Sequence, residues 1–182
     1  MPEQPGQTLI ARRVTLGSAD FLDFLTWPFR LDPFYEGQVM RLLQTDITQR
    51  LLRGSCFCWA FSNLQNQIVG LGTLDICEEY VEFTSSNRHA YIPLLAVHPA
   101  HQGRGYGRKI VEYLIGEAAN WKANQPGLSE ILFLDVYEAN QVATSLYVKC
   151  GFAILGTGPP LLDPLEQNAP YLVMARYIVP GP

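Results

Sequence analysis

The sequence has few basic residues. Its 182 residues include 13 lysines and arginines against 17 aspartates and glutamates, which gives a formal net charge of −4 at pH 7. Proteins that bind nucleic acid without sequence specificity usually carry a basic excess, so no nucleic-acid partner is expected. The acidic balance does not exclude an anionic ligand, because a local basic cluster can bind phosphate whatever the overall charge.

A long apolar run is also absent. The longest apolar stretches are strand-sized and fall short of the roughly 18 residues that indicate a membrane span. The amino-terminal sequence Met1-Pro-Glu-Gln-Pro-Gly6 lacks a basic region followed by an apolar one. We therefore expect a cytoplasmic protein without a membrane partner. With 48% hydrophobic residues, residues 1–182 are predicted to form a single domain with its own core.

Cysteines are too few, and too irregularly spaced, for a disulfide framework or a zinc site. Cys56 and Cys58 lie two positions apart on a predicted strand, with no Cys-x-x-Cys motif or histidine nearby. Buried, reduced thiols are expected at these positions and at Cys77 and Cys150. No metal site is predicted.

A glycine-rich segment connects a predicted strand, Tyr91–Val97, to a predicted helix. The segment reads Gln102-Gly-Arg-Gly-Tyr-Gly-Arg-Lys109. Its glycines remove Cβ atoms that would keep a ligand away from backbone N–H groups, and the first turn of a helix supplies unpaired donors and a positive dipole end. The basic residues add charge at the same place. This pattern is typical of a phosphate-binding loop, although a tight strand-to-helix turn without a ligand would use the same residues.

The spacing of the glycines separates the known kinds of phosphate loop. A Walker loop needs Gly-Lys-Ser/Thr, and a dinucleotide fingerprint needs G-x-G-x-x-G followed by an acidic residue about 20 positions on. Neither fits, so an unrelated nucleotide-binding protein is the weaker alternative. The order Val97-x-Pro99-x-x-Gln102-Gly-x-Gly105-x-Gly107 resembles the coenzyme A pyrophosphate loop of the GNAT superfamily of N-acetyltransferases.

A second block lies about one helix and one strand further along the chain. Leu132–Val136 alternates in the manner of a buried strand. The helix after it carries Asn140-x-x-Ala-x-x-x-Tyr147-x-x-x-Gly-Phe152, which is similar to the second motif of the same superfamily. Val142, Leu146 and Cys150 are predicted to form an apolar stripe beside it. The resemblance covers residues from about 91 to 152 by motif.

The remaining elements are predicted from periodicity and turn signals. In chain order they are strand Thr8–Arg13, a helix after Ser18 or Asp20, helix Glu36–Arg53, strands Cys56–Phe61 and Gln67–Ile76, and strands Phe152–Leu155 and Tyr171–Ile178. The resemblance implies an α/β (α+β) fold. Its mixed, mostly antiparallel central sheet would have about seven strands and about four flanking helices, and would splay between strands 4 and 5. Pro93 is compatible with a bulge at that splay.

The resemblance also implies a function, which is transfer of an acetyl group from acetyl-CoA directly to a primary amine. The residues expected to bind the cofactor are Leu95, Ala96, Val97, Gln102, Gly103, Arg104, Gly105, Tyr106, Gly107, Arg108, Asn140 and Ala143. Tyr147 is expected to protonate the departing CoA thiolate, with packing of a half-buried aromatic as the alternative. Glu79, which lies beside Glu78 and Glu82, is the candidate general base, with a water relay as the alternative. His98 and His101 could act as ligands or bases, but a polar role at the entry of the helix is the favoured interpretation. Cys150 is disfavoured as a nucleophile.

The acceptor is not identified by the sequence. The resemblance implies a pocket lined by the early helices and residues 156–170, although the same aromatic residues could belong to the core; they are Phe24, Trp27, Phe29, Phe34 and Tyr35. Small amines, amino acids, antibiotics, polyamines and protein amines all remain candidates, and a homodimer is left open. A non-catalytic acyl-CoA-binding sensor or assembly module of the same fold is the alternative function.

Overall fold

The computed structural model describes residues 8–27, 37–54, 56–78, 80, 83–84, 86–158 and 170–178, with the backbone alone for 37–44. Within them are eight strands and four α-helices. The strands are β1 (Ile10–Val14), β2 (Cys56–Ser62), β3 (Ile68–Cys77), β4 (His89–Ile92), β5 (Leu95–Val97), β6 (Ile131–Tyr137), β7 (Ala153–Thr157) and β8 (Tyr171–Tyr177). The helices are α1 (Ala19–Phe24), α2 (Gly37–Arg53), α3 (Tyr106–Asn124) and α4 (Gln141–Lys149).

The described residues form two compact units. The first comprises the described part of the chain up to Thr73 together with Leu94–Ile110, and the second comprises Leu74–Pro93 and the described residues from Val111 onward. Strand β3 and helix α3 each pass from one unit into the other. The single-domain organisation expected for residues 1–182 stays a prediction.

The first unit is built on an antiparallel arrangement of short strands. β1 pairs with β2 from Ile10↔Ser62 to Val14↔Cys58, and β3 pairs with β5. Ser18 caps α1, as its hydroxyl accepts a hydrogen bond from the Phe21 N–H at 3.4 Å. Among the described residues of this unit, ten buried ones pack into a hydrophobic cluster: Val14, Phe21, Phe24, Trp27, Ile47, Cys58, Ala60, Leu71, Leu94 and Ala96. Phe24 and Trp27 are therefore core residues in this unit.

The second unit contains the strand pairs that involve β4, β6, β7 and β8. β6 pairs antiparallel with β8 over seven residue pairs and parallel with β4 over three, and β7 pairs antiparallel with β8. Leu132, Leu134 and Val136 are buried as predicted, but Phe133 between them is fully buried as well, so the alternation holds only from Leu134 onward. The prediction for α4 was partly wrong, because Val142 is 85% exposed and does not belong to an apolar stripe with Cys150.

The structure corrects the predicted strand Tyr91–Val97, which is two strands. β4 ends at Ile92, where its parallel pairing with β6 also ends at Leu134, and β5 begins at Leu95 with β3 as its partner. The break falls at Pro93, which has no N–H to donate to a strand ladder. The sheet is thus mixed and mostly antiparallel as predicted, but the described residues contain eight strands where about seven were expected.

Candidate functional site

The glycine loop has the geometry of an anion cradle. Gly103 and Gly105 adopt φ values of +73° and +80°, a region in which glycine is unstrained. The first amide of α3 bonded within the helix is that of Lys109, which donates to the Gly105 carbonyl at 3.4 Å. The helix itself therefore offers no acceptor to the N–H groups of residues 106–108. No acidic residue lies in this first turn, and Arg104 and Arg108 are exposed.

A short 3₁₀ turn, Pro99–His101, leads the chain into this loop. His98 caps the turn through Nδ1, which accepts a hydrogen bond from the Ala100 N–H at 3.2 Å. The Nε2 of Gln102 donates to the Val97 carbonyl at 3.2 Å and ties the loop back to β5. The alternative of helix-entry roles for the two histidines thus has direct support at His98.

His101 contributes no positive charge to the loop at neutral pH. Burial lowers the pKa of its imidazole below the ordinary 6.5, and the neighbouring His98 and Arg104 lower the pKa further. Its buried Nδ1 has no hydrogen-bond partner among the described residues. The cationic character of the loop therefore comes from its arginines and lysine.

Strand β5 presents alternate backbone groups to opposite edges. The Thr73 N–H donates to the Leu94 carbonyl at 3.0 Å, and the His98 N–H donates to the Val69 carbonyl at 2.9 Å, so both ends of the segment point toward β3. Because backbone direction alternates along a strand, Ala96 also points toward β3, whereas Leu95 and Val97 point to the other edge. Of the three strand residues predicted to bind the cofactor, Ala96 therefore has its backbone groups directed into the β3 ladder.

Helix α4 carries the residues of the second motif. Asn140 is its N-cap, and the Oδ1 of Asn140 accepts a hydrogen bond from the Ala143 N–H at 3.1 Å. This cap explains the Asn-x-x-Ala spacing in structural terms. Tyr147 lies one turn further and is buried, with its ring edge-on to Phe152 at 5.9 Å. Burial, with Cys150 as the second cause, raises the pKa of the Tyr147 phenol, so the hydroxyl stays protonated.

The structure does not place the proposed base, because Glu79 and Glu82 lie outside the described residues. Of the residues predicted to line the acceptor pocket, Phe29, Phe34, Tyr35 and residues 159–169 also lie outside them. Glu78 is exposed.

The structure shows a buried-strand carboxylate that the sequence analysis did not identify. Asp135 on β6 accepts hydrogen bonds at Oδ2 from the hydroxyls of Tyr80, at 2.5 Å, and Tyr91, at 3.1 Å. The available signal was an acidic residue between two aromatic residues on a strand.

Residues 20–152 match the model of the acetyltransferase (GNAT) family. The chain belongs to the GNAT acetyltransferase family. The match includes the glycine loop and the second motif to its last residue, Phe152, so the resemblance noted in the sequence is confirmed. As a GNAT member the protein is an N-acetyltransferase that uses acetyl-CoA.

Solved GNAT structures share the fold of this chain at low sequence identity. Arabidopsis thaliana NAA60, in complex with a bisubstrate analogue, has a TM-score of 0.66 and 16% identity, with 96% of this chain and 100% of that chain covered. Spermidine N-acetyltransferase from Vibrio cholerae, in complex with CoA and spermine, has a TM-score of 0.58 and 20% identity, with coverage of 93% and 95%. A putative acyl-CoA N-acyltransferase from Klebsiella pneumoniae has a TM-score of 0.62 and 17% identity, with coverage of 95% and 99%. These likenesses establish the GNAT fold.

A search of curated proteins finds no match to this GNAT chain. In the part of the chain that the structure describes, no group of three or more histidine, cysteine, aspartate or glutamate side chains is arranged to hold a metal ion. Within the same residues no helix has both the length and the apolar character needed to cross a membrane.

Proposed function

We propose that the protein transfers the acetyl group of acetyl-CoA directly to a primary amine, with the cradle of Gln102–Arg108 holding the pyrophosphate of the substrate. The observation that carries this proposal is the sequence of backbone donors along one segment. The outward edge of β5, which faces away from β3, leads into two positive-φ glycines and then into the first turn of α3. Such a row of N–H groups suits a ligand with amide groups at one end and phosphates at the other.

Each predicted cofactor contact takes a specific form in this proposal. Leu95 and Val97 pair with the amides of the pantetheine arm, because their backbone groups point away from β3. Tyr106 contributes its backbone N–H, since its ring is buried beside His101. Asn140 uses Oδ1 for the helix cap, so its amide nitrogen is the group left for the pantetheine arm.

The reaction requires three further chemical contributions from the protein. The amine must lose a proton before it attacks the thioester carbonyl, the carbonyl oxygen needs hydrogen-bond donors, and the departing thiolate needs a proton. In this proposal, backbone N–H groups of β5 donate hydrogen bonds to the thioester carbonyl oxygen. Tyr147 donates a proton to the thiolate in this proposal, since its phenol is protonated at neutral pH. Glu79 or a water relay would accept the amine proton.

Ligand-dependent stability tests the cofactor. Acetyl-CoA and CoA at about 100 times their dissociation constants should each stabilise the fold by roughly 2.7 kcal/mol, and NAD and ATP should not. Equal stabilisation by all four nucleotides would contradict the proposal. An amine panel followed by free-thiol release then tests transfer. Binding without thiol release on any amine would support the sensor or assembly module instead.

The cradle is tested by substitution of Gly105. Gly105→Val should weaken CoA binding strongly, because a β-branched side chain at φ +80° is strained and stands where the backbone approaches the ligand. Calorimetric titration with CoA measures the change. Gly116→Ala is the matched control, because that glycine lies within α3 with nothing inside 4 Å of an added Cβ. A folded Gly105→Val protein with unchanged affinity would show that the loop is not the cradle.

A further inference from the structure

His98 connects three parts of the first unit. Its N–H donates to the Val69 carbonyl on β3 at 2.9 Å, so the backbone of this residue is fixed to the sheet. Its Nδ1 accepts a hydrogen bond from the Ala100 N–H at 3.2 Å and caps the 3₁₀ turn that leads into the glycine loop. Its ring is edge-on to Trp27, with centroids 5.0 Å apart and planes at 78°. The side chain of His98 therefore fixes how the chain leaves β5 on its way to the cradle.

The direction of this hydrogen bond defines the charge state of the ring. An imidazole nitrogen accepts a hydrogen bond only when it carries no proton, so the capping ring is neutral and its proton is on Nε2. In the imidazolium form both nitrogens are donors, and the Nδ1–H would face the Ala100 N–H. The turn would then lose its cap. Because histidine is the side chain whose charge changes between about pH 5 and 8, this cap is a pH-dependent contact.

Charged or titratable groups near this ring come from α1, from the same turn and from the loop. Asp23 on α1 accepts a hydrogen bond from Nε1 of Trp27 at 3.0 Å, so its carboxylate is engaged by the indole that packs on His98. His101 lies in the same turn, with its ring centroid 5.5 Å from that of His98. Burial lowers the pKa of His101, and His98 and Arg104 lower it further. A test of His98 must therefore distinguish it from His101.

The capped turn leads straight into the cradle. Gly103 and Gly105, which have positive φ values, follow the end of the turn by two and four residues. A site that is correctly formed only part of the time binds its ligand with an affinity reduced by that fraction. We propose that His98 is a positioning residue for the cradle, and that its protonation removes the cap of the 3₁₀ turn and weakens CoA binding. Affinity then falls as the pH drops, which is opposite in sign to the effect of a histidine that binds phosphate; this inference rests on the proposed function.

The first test measures CoA affinity against pH by calorimetric titration, in the unmodified protein and in His98→Asn. Asparagine is a good capping residue, because its side-chain oxygen accepts the same kind of hydrogen bond, and it does not titrate. The two proteins should bind CoA equally at about pH 8. On acidification to about pH 5.5, the Kd of the unmodified protein should rise about 5-fold more than that of the variant, which is the change that a cap of typical strength produces. Titration of the CoA phosphates and of His89 is common to both proteins and cancels. His101→Gln in both backgrounds should leave the difference unchanged.

The outcomes of this titration separate the inference from the function on which it rests. Equal pH dependence in the two proteins would overturn the inference and leave CoA binding established. Tighter binding by the unmodified protein at the lower pH would also overturn it, because His98 would then be a cation that binds phosphate. Absence of CoA binding at every pH would instead count against the proposed function.

The second test observes the ring without a ligand. Long-range ¹H–¹⁵N correlation spectra of the unmodified protein distinguish the two neutral imidazole tautomers from each other and from the imidazolium form. At about pH 8 the His98 ring should carry its proton on Nε2, and the Ala100 amide should exchange faster with solvent as the ring becomes charged. A neutral His98 ring with its proton on Nδ1 would overturn the inference, even if His98→Asn does not fold.

Discussion

Replacement of Thr73 tests how the outward edge of β5 is positioned. Thr73 is fully buried, and its hydroxyl both accepts from the Leu94 N–H at 2.9 Å and donates to the Leu94 carbonyl at 3.1 Å. The Thr73 N–H donates to the same carbonyl at 3.0 Å. The side chain thus supplies the ladder bond at the point where Pro93 interrupts the strand. Thr73→Val keeps the shape but leaves the Leu94 N–H without this acceptor, whereas the Leu94 carbonyl keeps its backbone donor.

The magnitude follows from that one lost acceptor. A buried donor left unsatisfied costs about 1–3 kcal/mol, so the free energy of unfolding should fall by this amount in Thr73→Val. Thr73→Ser is the matched control, since it keeps the hydroxyl and loses one methyl group, at a cost of about 1 kcal/mol. CoA affinity should fall in Thr73→Val and stay unchanged in Thr73→Ser. The reason is that the Leu94 hydrogen bond positions Leu95 and Val97, whose backbone groups are proposed to bind the pantetheine arm.

Urea unfolding measures the stability change, and amide hydrogen exchange measures its location. The Leu94 amide should exchange faster in Thr73→Val than in Thr73→Ser at equal overall stability. A valine protein as stable as the wild type, with the Leu94 amide equally protected, would refute the reasoning.

Three further outcomes are expected. An added Cβ at Gly70 would overlap Cδ1 of Ile110 and lie 2.9 Å from the Ala96 carbonyl oxygen, so Gly70→Ala should cost about 1–3 kcal/mol in urea unfolding, with partial rescue by Ile110→Val. Burial lowers the pKa of His89, so the unfolded chain takes up a proton that the folded protein excludes; stability should fall as the pH drops below about 6.5, and His89→Leu should flatten this dependence. Tyr147→Phe should lower kcat on the order of 10²-fold with little change in acetyl-CoA affinity, and the raised pKa of the phenol implies no alkaline limb within an ordinary assay range. An unchanged rate, with chemistry shown to be rate-limiting, would return Tyr147 to a packing role.

The local elements were largely predictable from the sequence because their signals are local. Ser18, one of the two predicted caps, caps α1, and the glycine loop leads into a helix, α3, as predicted. The strand break at Pro93 was not predicted, although the proline was recognised as unusual. The sequence shows a missing donor, but it does not show that a threonine 20 positions earlier replaces the bond.

The candidate site was predictable only where one segment supplies it. The cradle lies within seven consecutive residues, so its spacing can be read directly. The Asp135 cluster draws on Tyr80 and Tyr91, which are separated from it by 55 and 44 positions. Tyr91 and Asp135 lie on β4 and β6, which pair in parallel, and Tyr80 follows the end of β3. A single sequence does not show which strands pair, or in what register, so it could not predict this contact.

Tyr80 also stands at φ +64°, a conformation that costs a residue with a Cβ about 1–2 kcal/mol. Its hydrogen bond to Asp135 and its stacking on Phe133 compensate for this cost. Positions 80 and 135 are therefore expected to accept substitutions jointly. Once Asp135 is replaced, the hydroxyl loses its acceptor, and glycine or asparagine becomes the better residue at position 80. Two substitutions that would each be selected against alone should thus be tolerated together. We therefore expect the mutational histories of these two positions to be coupled, although 55 residues of chain separate them.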